Sequence, residues 1–190
     1  GVVDAAASSV EAAVKNADVV VVAVPVKAFE SSLLEIKPYL KSGAILTDVG
    51  SVKGCFLSAV EKVFGEVPDF VVPGHPIAGS EKSGVIAADA NLYRHHKVIL
   101  TPLSHTSESV FNLVREMWES CGATVLEMSV DHHDEVLAAT SHLPHLIAFS
   151  LVDTLAGEEE NQAIFRYAAG GFRDFTRIAA SDPVMWHDIF

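Results

Sequence analysis

The longest unbroken apolar run in the chain, residues 19–26, places the strongest constraint on the fold. It opens with four valines and continues through Ala23 and Val24 before Pro25 and Val26 close it. A β-branched run of this kind predicts a strand buried on both faces, as in the interior of a parallel sheet. Its eight residues fall well short of the about 20 that a membrane span needs. No basic segment precedes the run, so it does not predict a signal peptide.

Helical and strand patterns alternate along the first 75 residues. Amphipathic spacing predicts the helices, and short apolar runs predict the strands. The predicted helices cover residues 8–17, 27–40 and 56–64, and the predicted strands cover residues 19–24, 44–48 and 69–72. A further helix at 107–120 lies between strands predicted at 98–101 and 124–127. Regular alternation with short loops is typical of an α/β fold with a doubly wound parallel sheet.

The last third of the chain carries helical patterns and no predicted strand. Over residues 129–157 the apolar positions keep helical spacing. Pro144 lies inside this helix and must kink it, because proline has no N–H and its ring collides with the preceding turn. We therefore predict an α/β domain at 1–128 and an all-helical domain at 129–190. Because Phe190 falls within a helical pattern, we expect the second domain to be incomplete.

The composition narrows the class of protein further. The chain has 190 residues, of which 49% are apolar, and a net charge of −12. These values are those of a globular protein, and the acidity argues against nucleic-acid binding or a polybasic membrane contact. Its two cysteines, Cys55 and Cys121, are too few and too far apart for a disulfide scaffold or a CxxC metal site. A reduced, cytoplasmic setting fits best.

Two polar loops follow consecutive predicted strands. The first, Asp48–Gly54, carries Ser51, and the second, Pro73–Glu81, carries His75 between prolines and glycines. In a parallel sheet both loops would lie at the edge where open α/β sheets bind ligands. A stiff backbone around a histidine can hold a general base in place. The alternative is a pair of ordinary glycine-rich turns, with Ser51 as a helix cap and His75 at the surface.

The predicted kink places polar groups within the long apolar helix. Ser141 and His145 lie four residues apart and share one helix face. A polar cluster in such a helix favours a binding site over solvated histidines. His142 and His145 have the HxxH spacing of metal ligands, but Pro144 lies between them and no third ligand is evident, which argues against a metal.

Residues 170–177 combine glycine, aromatic and charged side chains. Arg173 and Arg177 lie in this segment, and a guanidinium group can bind a carboxylate through two parallel hydrogen bonds. Structural pairing of these arginines with Asp174 and Asp182 explains the pattern equally well.

Two other charged clusters are predicted to be solvent-exposed. Residues 131–134, Asp-His-His-Asp, are similar to a run found in manganese phosphoesterases, but the further metal-binding aspartates of those enzymes are not evident. With Ser129 as the cap, this cluster is predicted to be an exposed helix start. Residues 94–97 are predicted to form a solvated turn before a strand.

Four segments together resemble the prephenate dehydrogenase family, which includes arogenate and cyclohexadienyl dehydrogenases. They occur in the family's order across essentially the whole chain, which makes the combined match specific. The segments are Asp48–Lys53, Gly74–Glu81, Ser141–His145 and Gly171–Arg177, and the tail Ala180–Trp186 matches as well.

The resemblance implies a Rossmann-type dinucleotide-binding domain followed by a helical dimerisation domain. The family opens with a strand, a GxGxxG turn, a helix and a second strand with an acidic ribose ligand, none of which is in these residues. We therefore expect the chain to be a fragment or trimmed version of an enzyme, without its first two sheet strands. Such a chain should bind nucleotide poorly and lacks the determinant that separates NAD from NADP.

The resemblance also implies a reaction, the oxidative decarboxylation of prephenate to 4-hydroxyphenylpyruvate in tyrosine biosynthesis, with NAD or NADP as cofactor. His75 would accept the proton of the substrate's 4-hydroxyl group. Ser51 would contact that hydroxyl and the nicotinamide, and Arg177 would bind the ring carboxylate. The other implied positions are Ser80, Ser141, His145, Asp174 and Trp186 for substrate, and Val24, Pro25 and Val26 for cofactor. The resemblance further implies a cytoplasmic homodimer, with tyrosine feedback as an option.

Three alternatives stay open at this point. The substrate could be arogenate, with tyrosine as the product. A β-hydroxyacid-type dehydrogenase would need a catalytic lysine on the long helix, and residues 129–157 contain none. A non-catalytic relative, acting in dimerisation or ligand sensing, would also fit the chain as it stands.

Overall fold

The computed structural model describes residues 3–79 and 87–190, which divide into two compact units. Of the described residues, 3–79 and 89–134 form the first unit, and 87–88 and 135–190 form the second.

The first unit alternates helices and strands, as the sequence predicts. Its helices are α1 (Val10–Val14), α2 (Phe29–Ile36), α3 (Lys53–Phe64) and α4 (Glu108–Ser120). Its strands are β1 (Val19–Val22), β2 (Ile45–Asp48), β3 (Val71–Val72), β4 (Gly74–Ile77), β5 (Lys97–Leu100) and β6 (Thr124–Glu127). Helix α5 (Val130–Leu137) follows β6 directly.

Strands β1, β2 and β3 pair in parallel, with Val22 opposite Asp48 and Thr47 opposite Val72. Strands β5 and β6 are also parallel, so the predicted parallel arrangement is confirmed for these pairs. The prediction that residues 73–81 form a loop is wrong for its first half, since β4 pairs antiparallel with β5. Pro73 has no N–H to donate to a ladder, which separates β3 from β4.

Helices cover both faces of β2, which is buried along its whole length. Its alternate residues face two different cores, because successive side chains of a strand point to opposite sides. Leu46 packs in a core with Phe29 and Phe56, whose rings meet edge to face at 5.2 Å. Ile45 packs in the other core with residues of α4 and β5.

Strand β1 departs from the prediction that it is buried on both faces. Val20 and Val22 are buried, whereas Val21 is 40% exposed. Among the residues that the structure describes, β1 pairs with β2 on one side only. The apolar run alone could not distinguish this position in the sheet from an interior one.

Within the residues that the structure describes, the second unit consists of helices and the turns that join them, without a strand. Its helices are α6 (Leu143–Ala156), α7 (Asn161–Arg166), α8 (Gly170–Thr176) and α9 (Pro183–Ile189). A π-helical segment, Ala138–His142, joins α5 to α6 immediately before Pro144. The expected disturbance of the long helix is therefore a wider turn, in which the N–H of Leu143 donates to Ala138 O.

Residues 130–156 form one continuous helical stretch whose length and apolar composition alone would allow it to cross a membrane. The prediction from sequence considered only the longest unbroken apolar run, whereas in α6 isolated polar residues divide a stretch whose mean hydropathy is high. The length of unbroken runs therefore did not predict that this helix is long and apolar enough to cross a membrane. The core helix of a soluble protein passes the same test, so this criterion by itself does not assign a membrane.

Candidate active site

The segments that follow β1 and β2 begin at the same edge of the sheet. Val22 and Asp48 are opposite each other at the carboxyl ends of β1 and β2. The segment Val24–Val26 follows β1, and Ser51 follows β2 as a half-buried residue. Because the two strands are parallel, both segments lie where open α/β sheets bind ligands.

A buried ion pair joins the segment Asp48–Gly54, here called the Ser51 loop, to the strand that carries His75. The side chains of Asp48 and Lys53 are fully buried and in direct contact. Asp48 accepts hydrogen bonds from the backbone N–H of Gly50 at 2.8 Å and of Gly74 at 3.1 Å. Lys53 Nζ donates to the carbonyl oxygen of Gly74 at 2.6 Å. These bonds hold the loop and the start of β4 against each other.

Burial shifts the acid–base properties of this pair in opposite directions. It raises the pKa of the Asp48 carboxyl, although Lys53 and the Gly50 and Gly74 N–H groups act against this shift. Burial also lowers the pKa of Lys53, against the attraction of Asp48. The sequence alone predicts no role for the Asp48–Lys53 pair, because a local pattern does not show that a lysine is buried.

Gly50 is required by the close packing of the Ser51 loop. A Cβ atom at this position would lie 2.4 Å from Cζ of Phe29 and 3.0 Å from Oδ2 of Asp48. Any other residue would push the loop away from α2 or break the bonds made by Asp48.

His75 lies in β4, opposite Ile99 of β5, and is 9% exposed. The sequence predicted a stiff backbone around this histidine. The stiffness comes from the strand pairing as well as from the neighbouring prolines. Its Nδ1 lies 2.9 Å from Nε2 of His133, and the two rings meet edge to face.

The prediction that residues 131–134 form an exposed helix start is wrong for two of the four side chains. Asp131 and His132 are exposed, and the Ser129 hydroxyl accepts from His132 N as a cap. His133 is fully buried, however, and its Nδ1 lies 2.7 Å from Oδ1 of Asp134. The partners of His133 and Asp134 are far away in sequence, so local pattern gave no signal for them.

Asp134 caps the helix that follows the Ser51 loop. Its carboxylate accepts from the backbone N–H of Lys53 at 2.9 Å and of Gly54 at 2.8 Å. The N-cap residue of α3, Val52, has no side chain that could do this. Partial burial opposes ionisation, but the bonds from His133 and the two backbone N–H groups outweigh it and hold the pKa of Asp134 below its usual value.

In the second unit, His145 and Trp186 form a stacked pair with ring centroids 3.7 Å apart. His145 Nδ1 lies 2.9 Å from the carbonyl oxygen of Ser141, one turn earlier. Trp186 is buried, and its indole N–H has no hydrogen-bond partner among the residues that the structure describes. His145 and Trp186 therefore form one cluster, which Ser141 joins through its backbone carbonyl group, and the indole N–H is a buried donor without a partner in that part of the chain.

Two other predicted substrate contacts, Asp174 and Arg177, lie on α8 and directly after it. Asp174 and Arg177 are exposed, and Asp182 caps α9 by accepting from Val184 N and Met185 N. Ser80 lies outside the described residues. That the side chains of the two units line one cleft stays a prediction.

The residues that follow β1 and β2 combine an apolar surface with one hydroxyl group. Val24 and Val26 are half-buried and Pro25 is exposed, so they present an apolar surface. Ser51 supplies a hydroxyl at the end of the neighbouring strand. An apolar surface with few polar groups is typical of cofactor sites.

A parallel sheet covered by helices, with polar loops at the carboxyl edge and a helical region after it, defines the class of Rossmann-like dinucleotide-binding proteins. Residues 1–127 match the family described as prephenate dehydrogenase, nucleotide-binding domain. Residues 129–190 match the family described as prephenate dehydrogenase, dimerization domain. The chain belongs to the prephenate dehydrogenase family.

Individual relatives agree with this assignment. The cyclohexadienyl dehydrogenase of Zymomonas mobilis is 42% identical over 98% of this chain and 64% of its own length. The prephenate dehydrogenase of Bacillus subtilis is 40% identical over all of this chain and 51% of its own length. The chain thus spans between half and two thirds of these curated relatives.

A solved structure of the same kind superposes closely. The prephenate dehydrogenase of Aquifex aeolicus, crystallised with hydroxyphenyl propionate and NAD+, has a TM-score of 0.86 and 43% identity. The match covers 97% of this chain and 64% of that one. The arogenate dehydrogenase of Synechocystis has a TM-score of 0.78 and 26% identity, with 98% and 66% coverage.

Proposed function

We propose that the protein oxidatively decarboxylates prephenate to 4-hydroxyphenylpyruvate in tyrosine biosynthesis, with NAD as the cofactor. The observation that carries the proposal is the buried His75 beside the Ser51 loop, tied together by Asp48 and Lys53 at the cofactor edge of the sheet. The named relatives among the prephenate dehydrogenases support the same reaction.

In this proposal His75 accepts the proton of the substrate's 4-hydroxyl group. His133 Nε2 lies 2.9 Å from Nδ1 of His75, and the proposal assigns proton acceptance to the other ring nitrogen, Nε2. Ser51 contacts the same hydroxyl and orients it. A correctly placed base typically contributes about 10²–10⁴ in rate.

The ring carboxylate and the substrate side chain need separate contacts. We assign the ring carboxylate to Arg177, since an arginine binds a carboxylate through two bonds. We assign the side chain to Ser141 and His145, with Ser80, Asp174 and Trp186 completing the substrate contacts. The stacked pair of His145 and Trp186 supports a preformed aromatic wall for the side chain.

The nicotinamide dinucleotide, when bound, supplies the acceptor for the hydride that leaves the substrate. Val24, Pro25, Val26 and Ser51 would lie along its nicotinamide ring. NADP in place of NAD remains an alternative to be tested.

The experiment compares prephenate and arogenate with NAD and NADP in the full-length protein, following reduced dinucleotide at steady state. Turnover of prephenate with NAD is expected. Preference for arogenate would make tyrosine the product. It would also mean that the contacts at His145 select the substrate by its side chain. No turnover with any pair, in a folded protein that still dimerises, would favour a non-catalytic relative.

We further propose a cytoplasmic homodimer with the domain boundary between residues 128 and 129. The dimerisation-domain match and the exposed apolar side chains of α6 support self-association. Tyrosine is proposed as a feedback inhibitor, because it shares the hydroxyphenyl ring of the product. Addition of tyrosine to the same assay would test that point.

A further inference from the structure

His75 ends a chain of three side chains that runs through the interior of the first unit. Asp134 Oδ1 lies 2.7 Å from Nδ1 of His133, and Nε2 of His133 lies 2.9 Å from Nδ1 of His75. His133 is fully buried and His75 nearly so. Asp134 is itself held by the backbone N–H groups of Lys53 and Gly54.

The direction of these hydrogen bonds follows from Asp134. An ionised carboxylate can only accept, so Nδ1 of His133 must carry the hydrogen. In neutral His133, Nε2 then has a lone pair and accepts from His75, which requires the hydrogen of His75 to be on Nδ1. His75 is left with an unprotonated Nε2, which is the form that a base needs.

We propose that His133 and Asp134 are positioning residues that hold His75 in the Nδ1-protonated tautomer, in which the lone pair that takes a substrate proton is on Nε2. The identity of that proton, from the substrate's hydroxyl group, rests on the function proposed above. The orientation of His75 does not depend on it.

The arrangement also couples His75 to the Ser51 loop. Asp134 caps α3 directly after that loop, while Asp48 and Lys53 join the loop to Gly74. The base and the loop are therefore held by two sets of bonds that meet at Lys53. Loss of the His133 ring removes the contact with Nδ1 of His75 but not the groups that form the bonds between Asp134 and the N–H groups of Lys53 and Gly54.

The first test reads the tautomer directly and needs no turnover. In full-length protein labelled with ¹⁵N-histidine, at mildly alkaline pH, the ring signals of His75 are assigned by their loss in His75→Asn. We expect a protonated Nδ1 and an unprotonated Nε2. The opposite tautomer in the unmutated protein would overturn the proposal, whether or not the protein proves to be a dehydrogenase.

The second test is kinetic and uses two variants of one position. His133→Phe keeps a ring but removes the acceptor, and His133→Gln keeps an acceptor that can reach Nδ1 of His75. We expect kcat to fall about 10- to 100-fold in His133→Phe with KM unchanged, less than the about 10²–10⁴-fold loss of the base itself. His133→Gln should recover most of the loss.

Two kinetic outcomes would contradict the proposal. One is an equal loss in both variants, and the other is a change in KM alone, since either would indicate packing rather than tautomer control. If His133→Phe fails to fold, two results still test the proposal. They are the tautomer of His75 in the unmutated protein and the activity of His133→Gln. If no substrate is turned over, the proposed function fails while the ¹⁵N result stands by itself.

Discussion

At the scale of single residues, Lys53 is the side chain whose loss should cost the most stability. It is fully buried and contacts both Asp48 and the Gly74 carbonyl group. We expect Lys53→Met to lower the free energy of unfolding by about 3–5 kcal/mol, because a buried carboxylate would lose its partner. Denaturant unfolding at neutral pH measures this change.

A matched control for Lys53 lies on the same helix. Lys62 pairs with Glu30 at 3.1 Å, but both side chains are more than half exposed. Lys62→Met should cost at most about 1 kcal/mol, as exposed ion pairs do. Similar losses for the two lysines would show that the Asp48–Lys53 pair does not hold the loop.

Substitutions of Arg177 and His75 should change different kinetic parameters. A carboxylate contact made in the ground state and the transition state alike appears in KM, so Arg177→Ala should raise KM far more than it lowers kcat. His75→Asn should lower kcat, because proton acceptance matters only during the reaction. Steady-state kinetics of the full-length variants decide between these patterns.

Arg173 provides the check on the carboxylate assignment. It lies four residues before Arg177 and is likewise exposed. If Arg177→Ala lost turnover at unchanged KM, the carboxylate contact would have to be moved to Arg173. Retention of normal KM in Arg173→Ala together with a raised KM in Arg177→Ala would support the assignment as proposed.

At the scale of elements, helix α3 depends on a cap supplied by another helix. Asp134 accepts from the first N–H groups of α3, and its pKa lies below the usual value of 3.8. The ionised form is therefore favoured in the folded state, and its contribution is present above pH about 4 and lost as the pH falls through the lowered pKa. We expect Asp134→Ala to cost about 0.5–2 kcal/mol at pH 7, as caps do.

Unfolding curves between pH 7 and pH 3 test this expectation. The gap between the unmutated protein and Asp134→Ala should narrow at the acid end. Asp131, exposed on the same helix α5, is the control, and Asp131→Ala should have little effect at any pH. A gap that stayed constant with pH would mean that the charge of Asp134 does not contribute.

At the scale of the whole molecule, α6 has exposed apolar side chains that we expect to be buried in the proposed dimer interface. Leu143 is 51%, Leu146 44% and Ile147 48% exposed. A glutamate at Ile147 would place a charge within a desolvated interface, which is strongly unfavourable. We expect Ile147→Glu to convert the proposed homodimer to monomers in analytical ultracentrifugation.

The control for this surface is an exposed leucine of the first unit. Leu34 on α2 is 57% exposed, and Leu34→Glu should leave the oligomeric state unchanged. A dimer that persisted in Ile147→Glu would place the interface elsewhere in the molecule.

The sequence by itself determined the order of elements and the edge of the sheet where the candidate site lies. The valine run, the alternating helices and the polar segment after β2 sufficed, because such signals are carried by neighbouring residues. It also predicted the disturbance of the long helix, since Pro144 acts on its own turn.

Only the tertiary structure decided which side chains support His75. The bond between His75 and His133 spans 58 positions, and that between Asp134 and Lys53 spans 81. The pattern Asp-His-His-Asp is locally that of an exposed helix start, and only packing against β4 and α3 buries its second histidine. The antiparallel pairing of β4 and the buried pair of Asp48 and Lys53 depend on long-range contacts in the same way, and no local periodicity encodes them.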